Sequence, residues 1–279
     1  MIASLGAESL KIRKRWANWI LIGILLAVLI LLGYVVSYVV LANPPKNFRS
    51  EVPASVLKRE VFPENLVPNI LAGMSTLGAA IMIIYGGLSS ASEYGWATIQ
   101  TILIQKPGRL AVLFGKLLAL AILSLIVSVA LLATAALTSY VLARIDGTTS
   151  NWPSAEVLLK GFGALWLQLS MWTAFGVLIG IAFRSTAAAI GGGLVYLFVI
   201  ETILARIFGN TPGVKEVLKF LPGINAEGVN AAFPLTFRNP NGAGPPLVDA
   251  TRGTITLLVY LAVFVLASAF LFRRRDVGA

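Results

Sequence analysis

The sequence contains no cysteine and no histidine. Their absence excludes disulfides, thiolate nucleophiles and imidazole bases, and with them the soft-metal sites that need those ligands. Charge is scarce as well: 12% of 279 residues are charged and 57% are hydrophobic. An ordinary soluble domain carries about 25% charge, so this chain cannot cover a soluble fold of its size. Composition therefore points to a membrane protein. The net charge of +10 would elsewhere raise nucleic acid as a partner. In a chain this apolar, basic residues flank spans and set orientation, and no nucleic-acid partner is expected.

What is present is a set of long stretches without charge. Thirty residues separate Arg15 from Lys46, and 17–42 is mostly Leu, Ile and Val. Twenty-six helical residues rise about 39 Å, enough to cross roughly 30 Å of hydrocarbon. The run is too long for the apolar region of a signal peptide, so a span is expected there. Five further spans are expected at about 67–91, 117–143, 160–183, 185–205 and 253–272, the fifth interrupted only by Glu201. The expected fold is an all-α membrane protein of six transmembrane helices, a single domain over 1–279.

Six spans place both termini on one side. That side would hold Lys11, Arg13, Lys14, Arg15, Lys106, Arg109, Lys116, Arg184 and Arg273–Arg275, half of the 22 basic residues, with only Glu8, Glu93 and Asp276 as acids. The clusters at 11–15 and 273–275 lie tight against span ends, where the positive-inside rule counts them, so both termini are expected in the cytoplasm. The outer loops are then 43–67, rich in proline, the short 146–153, and 206–252 with six prolines. Within the last, Val214, Val217, Leu218 and Leu221 have helical spacing; the rest lacks periodicity. Lys11–Arg15 with Trp16 and Trp19 reads as a short amphipathic helix ahead of span 1, at home on anionic lipid.

Between spans 2 and 3, Ser92–Arg109 reads as a cytoplasmic helix lying along the membrane interface. Ser92 stands at an N-cap position with Glu93 just inside. Trp96, Ile99, Ile102 and Leu103 share a face, and Pro107-Gly108 ends the element. Gly108–Lys116 superficially has the look of a phosphate loop, but six residues separate Gly108 from Gly115 and Leu117 replaces the required Ser or Thr. No ATP chemistry is encoded there.

Glu93, Gly95, Thr98, Pro107, Arg109, Gly115 and Lys116 together resemble the pattern of ABC-2 type transporter permeases, the membrane subunits of ABC exporters. Phe272-Arg273-Arg274-Arg275-Asp276-Val277 and Phe183-Arg184-Ser185 are similar to further features of that family. Trp96 stands where many members have Thr. The resemblance implies a prokaryotic inner-membrane permease exporting an amphipathic or hydrophobic solute, such as a drug, peptide or lipid-like molecule. It implies alternating access in a homo- or heterodimer of permeases, coupled to separate ABC ATPase subunits. ATP and Mg would sit on that partner, with no cofactor, metal or catalytic residue on this chain, which would not itself be an enzyme. Glu93, Gly95, Trp96, Thr98, Ile99, Pro107, Arg109 and Lys116 would form the coupling element that docks on the ATPase. A dimer seam of the first and fifth spans would favour Gly191, Gly192 and Gly193. Gly176-x-x-x-Gly180 in span 4 is expected to serve packing within the chain.

Glu201 is the one acid within a span. Such a residue is a functional candidate by default, here a substrate or gate contact; the other reading makes it a partner for Arg206 or the outer segment. A stand-alone channel, secondary transporter or assembly factor is the alternative class, although broken helices and repeats typical of secondary transporters are not evident.

Overall fold

The computed structural model describes residues 2–44, 52–95, 108–208, 211, 213–235 and 246–274. These residues are predominantly helical, without a strand among them. Six helices are long and apolar enough to cross a membrane, which makes the chain a multi-pass membrane protein.

A first helix, α1 (Ile2–Lys14), precedes the spans. Span 1 is α2 (Trp16–Ala42). A short helix α3 (Ala54–Leu57) leads through 3-10 turns to span 2, α4 (Pro63–Tyr94). Spans 3 and 4 are α5 (Arg109–Ile145) and α6 (Ala155–Phe183), and span 5 is α7 (Thr186–Ile203). Two short helices follow, α8 (Val214–Leu218) and α9 (Pro222–Asn230), before span 6, α10 (Ala250–Arg274). Spans 2 and 3 begin before their charge-free stretches, because Glu64, Arg109 and Lys116 are carried on helix ends.

Span 4 is the centre of the bundle: 72% of its apolar window is buried inside the protein, against 17% for spans 1 and 6. Backbone contact with span 2 explains this. A Cβ at Gly86 would come within 2.2 Å of the Thr173 carbonyl oxygen, and one at Gly176 within 2.4 Å of the Ile83 oxygen. Gly180 has the same tightness against the Ser90 hydroxyl. Small residues let helices approach in lipid until backbones touch. The Gly176–Gly180 pair is thus used within the chain. The turn from span 4 to span 5 takes only Arg184, at φ 53°, and Ser185, whose hydroxyl caps α7.

Aromatic side chains join spans 4, 5 and 6: Phe175 packs on Tyr196 and on Phe264, with centroids 5.0 and 5.2 Å apart. Wide π-helical turns interrupt spans 1, 2 and 5 at Leu29–Val35, Met74–Gly78 and Tyr196–Leu204.

The helix α9 had no counterpart in the sequence expectation. It folds back onto the bundle, where the Asn230 amide donates to the Ser75 hydroxyl of span 2 at 2.7 Å and accepts from Gln168 of span 4 at 2.8 Å. Gln168 lies 13 residues into α6, about 20 Å along its axis. Gly253 and Gly228 make the seam with span 6 close: a Cβ on Gly253 would stand 2.5 Å from the Asn225 oxygen.

Candidate functional site

The end of the bundle that carries α1 also carries the last turn of span 2, the start of span 3, the turn between spans 4 and 5, and the end of span 6. Arg184 stacks over Tyr94 with its guanidinium carbon 5.6 Å from the ring centroid. Phe272 is buried, in the cluster with Leu113 of span 3.

At the centre of this end are four buried or half-buried charges. The Lys116 ammonium donates to the Ser89 carbonyl at 2.9 Å and to Glu93 Oε1 at 2.8 Å, and stands 3.3 Å from Glu8 Oε2 in an ion pair. Lys11 donates to Glu8 at 2.6 Å and to the same Glu93 oxygen at 2.8 Å. Two carboxylates therefore face two ammoniums, with no net charge and with side-chain exposures of 5–7% for Glu8, Glu93 and Lys116. Arg15 adds a hydrogen bond to the Ser92 hydroxyl at 3.1 Å.

Local sequence explains the convergence. Glu8 and Lys11 are one helical turn apart on α1. Gly115 lets α1 lie directly on span 3, since a Cβ there would stand 2.7 Å from the Ser4 Cβ. Glu93 is brought in by the last turn of span 2 and Lys116 by the second turn of span 3. Burial pulls the Lys11 pKa down, but Glu93 and Glu8 outweigh it and hold the group above its usual 10.5.

The structure corrects one expectation here. Ser92 does not cap a new helix: the helix of span 2 runs unbroken to Gly95, because Ser90 and Ser92 find partners in Val177 and Arg15 without ending it. Glu93, Gly95, Arg109 and Lys116 lie among the described residues, and Glu93 and Lys116 meet directly. Trp96, Thr98, Ile99 and Pro107 lie outside the described residues. Glu8 and the pairing role of Lys11 were missed; the i, i+3 spacing of Glu8 and Lys11 was the available signal.

A second polar site lies at the opposite end. Glu201, 7% exposed, accepts from the Tyr196 hydroxyl at 2.8 Å and from the backbone N–H of Gly223 at 2.9 Å. Gly223 is in the first turn of α9, where backbone N–H groups lack partners within the helix. Its missing side chain admits the carboxylate, as a Cβ would stand 2.6 Å from Glu201 Oε2. Nearby on the same end, Asp146 accepts from Lys58 and, at 3.3 Å, from Tyr38. Of the three glycines in span 5, Gly193 is turned inward against Ile83 and Ile179, while Gly191 and Gly192 face outward. No group of three or more acidic side chains able to hold a metal ion occurs among the described residues.

The model of the family described as "Protein of unknown function (DUF2705)" matches residues 48–278. The chain belongs to the DUF2705 family. The match takes in spans 2 to 6, so Glu93, Lys116 and Glu201 lie inside the DUF2705 region, whereas Glu8 and Lys11 on α1 lie before it. No curated protein matches the chain.

Proposed function

We propose that this protein is the permease subunit of an ATP-driven exporter of the ABC-2 type, working as a dimer with a separate ATPase. The end that carries α1 is the cytoplasmic one, the segment between spans 2 and 3 couples the permease to the ATPase, and 206–252 is an outer segment that covers the exit. The transported solute is amphipathic or hydrophobic. One observation carries the reading. The two roots of segment 96–107, Glu93 at the end of span 2 and Lys116 at the start of span 3, are joined by a buried ion pair. A load applied to the segment between them moves both spans as one body. The basic clusters at this end, with exposed Arg13, Lys14, Arg273 and Arg274, fit the cytoplasmic face.

On this reading, Glu93 and Lys116 transmit rather than dock, and Trp96, Thr98, Ile99, Pro107 and Arg109 are the residues that meet the ATPase. Glu201 holds α9 against the outer end of span 5 and so sets the resting position of the exit.

The experiment is affinity purification of the tagged chain from the membranes of the cells that make it, with an ABC ATPase sought among the proteins that come with it. A stable complex is expected, with ATPase activity that rises on reconstitution with the permease and loses that rise in Trp96→Ala and Arg109→Ala. A chain that purifies without any ATPase, and transports or conducts alone, refutes the proposal and favours a stand-alone channel or secondary transporter.

A further inference from the structure

Spans 3, 4 and 6 enclose a cavity of about 730 Å³ that belongs to neither site above. The described residues that line it all lie within those three spans, and the exposure of Leu118 and Leu258 turns its mouth toward the hydrocarbon of the bilayer. Buried Ala174 lies at its base, half-buried Ala121 and exposed Gly163 in its walls, and the rim is made by Phe114, Leu118 and Leu258, each more than a third exposed. Among the described residues, no charged side chain lines it.

The few polar groups in the lining are already committed. The Thr173 hydroxyl donates to the Leu169 carbonyl at 2.7 Å, and Thr254 to Ala250 at 2.8 Å. Ser170 pairs with Ser124 at 2.8 Å, and the Trp166 indole donates to the Ala121 carbonyl at 3.2 Å. No donor is left to recognise a polar ligand, although ligand pockets of this size ordinarily keep a few convergent polar groups for orientation. The walls are long: Gly163 to Ala174 and Thr254 to Val265 each cover about 16 Å of helix. A packed helix is the competing occupant. Helices associate in lipid through small residues at the contact, and here the exposed side chains of Phe114, Leu118 and Leu258 stand at the mouth and hold a second backbone away from Ala174. A flexible chain of methylenes passes that rim.

We infer that this cavity is a binding site for a single hydrocarbon chain, the acyl tail of a bilayer lipid, entering sideways between spans 3 and 6. The site recognises the tail and not the headgroup. It stands whether or not the chain is a transporter.

The test uses the full-length protein reconstituted in phosphatidylcholine vesicles doped with a phosphatidylcholine that carries a diazirine near the end of one acyl chain. After photolysis, labelled peptides are mapped. Labelling is expected to concentrate on 114–121, 163–174 and 254–265, above the outward face of span 1 at Ile20 and Leu31, and a diazirine fatty acid is expected to label the same peptides. Gly163→Leu projects a side chain into the cavity from its wall, where an added Cβ meets nothing within 4 Å, and is expected to abolish the enrichment; Ala121→Leu is the second filling variant. Retained thermal stability shows that each filled protein is folded. Labelling no greater than on span 1, or enrichment that survives both filling variants, overturns the inference. So does a disulfide between copies through Leu258→Cys, the sole cysteine in such a variant, because a second copy would then occupy the groove.

Discussion

Replacing Lys116 by Met removes one charge and keeps most of the methylene stem. In the folded protein the lost ammonium satisfied Ser89, Glu93 and Glu8 at 2.8–3.3 Å with only 4% of the residue exposed. Removing one partner of a buried pair costs about 3–5 kcal/mol, because the other charge is left without compensation. Lys11 remains bonded to both carboxylates, which places the expected cost at the lower end, about 3 kcal/mol. At about 2–4 °C per kcal/mol for a chain of a few hundred residues, the midpoint should fall by roughly 6–12 °C. The assay is thermal unfolding of the detergent-purified protein followed by intrinsic fluorescence. Adding Glu8→Gln restores charge balance, leaving Glu93 with Lys11, so the double variant should be more stable than Lys116→Met alone. A Lys116→Met variant as stable as the parent, or a double variant whose loss equals the sum of the two single losses, would refute the coupled cluster.

Three further outcomes are expected. Gly86→Ala and Gly176→Ala should each lower the midpoint sharply, since the new Cβ would stand 2.2–2.4 Å from a carbonyl oxygen of the facing helix; Gly191→Ala, with nothing within 4 Å, should raise stability by about 0.5–1 kcal/mol through helix propensity. Glu201→Ala leaves the Gly223 N–H and the Tyr196 hydroxyl without their acceptor, a loss of about 1–3 kcal/mol, and should show as faster amide exchange over 222–230 than in the parent, with span 4 unchanged. The raised pKa of Lys11 means that the folded state holds this proton more tightly than the unfolded chain does. Its stabilising effect is complete below about 10.5 and fades as pH rises through the folded value; unfolding midpoints measured from pH 9 to pH 12 should fall less steeply in Lys11→Met.

The spans were legible because each is long, apolar and bounded by charge, a signal that needs no tertiary information. The pairing of spans 2 and 4 was only half legible. Gly176 and Gly180 announce a close approach, but nothing in the spacing names Gly86 and Ser90 as the opposite wall. The helix α9 escaped because Pro222-Gly223-Ile224-Asn225-Ala226-Glu227-Gly228-Val229-Asn230 has no apolar stripe, and its two good helix formers, Ala226 and Glu227, stand among two glycines and two asparagines. Tertiary bonds through Glu201, Gln168 and Ser75 hold it. The charge cluster was legible in two of its four members. Glu93 and Lys116 stand out at the boundaries of apolar runs, whereas Glu8 and Lys11 look like an ordinary solvated turn until α1 folds back on Gly115. Glu201 was visible as an anomaly, and the outer segment was one of its expected partners; that Gly223 within it and Tyr196 of span 5 supply the donors was not legible, because neither carries a charge to pair with it.

The burial of span 4 bears on how the chain is made. Of the six helices it has the lowest mean hydropathy, with Gln168, Ser170 and Thr173 in its middle, yet it is the one the others surround. During synthesis it must enter the bilayer before spans 5 and 6 exist, and meanwhile the only shelter for those polar groups is the wall offered by the earlier spans. The glycine face on span 2 is therefore a receptor prepared in advance, and the order of the helices along the chain is also an order of assembly.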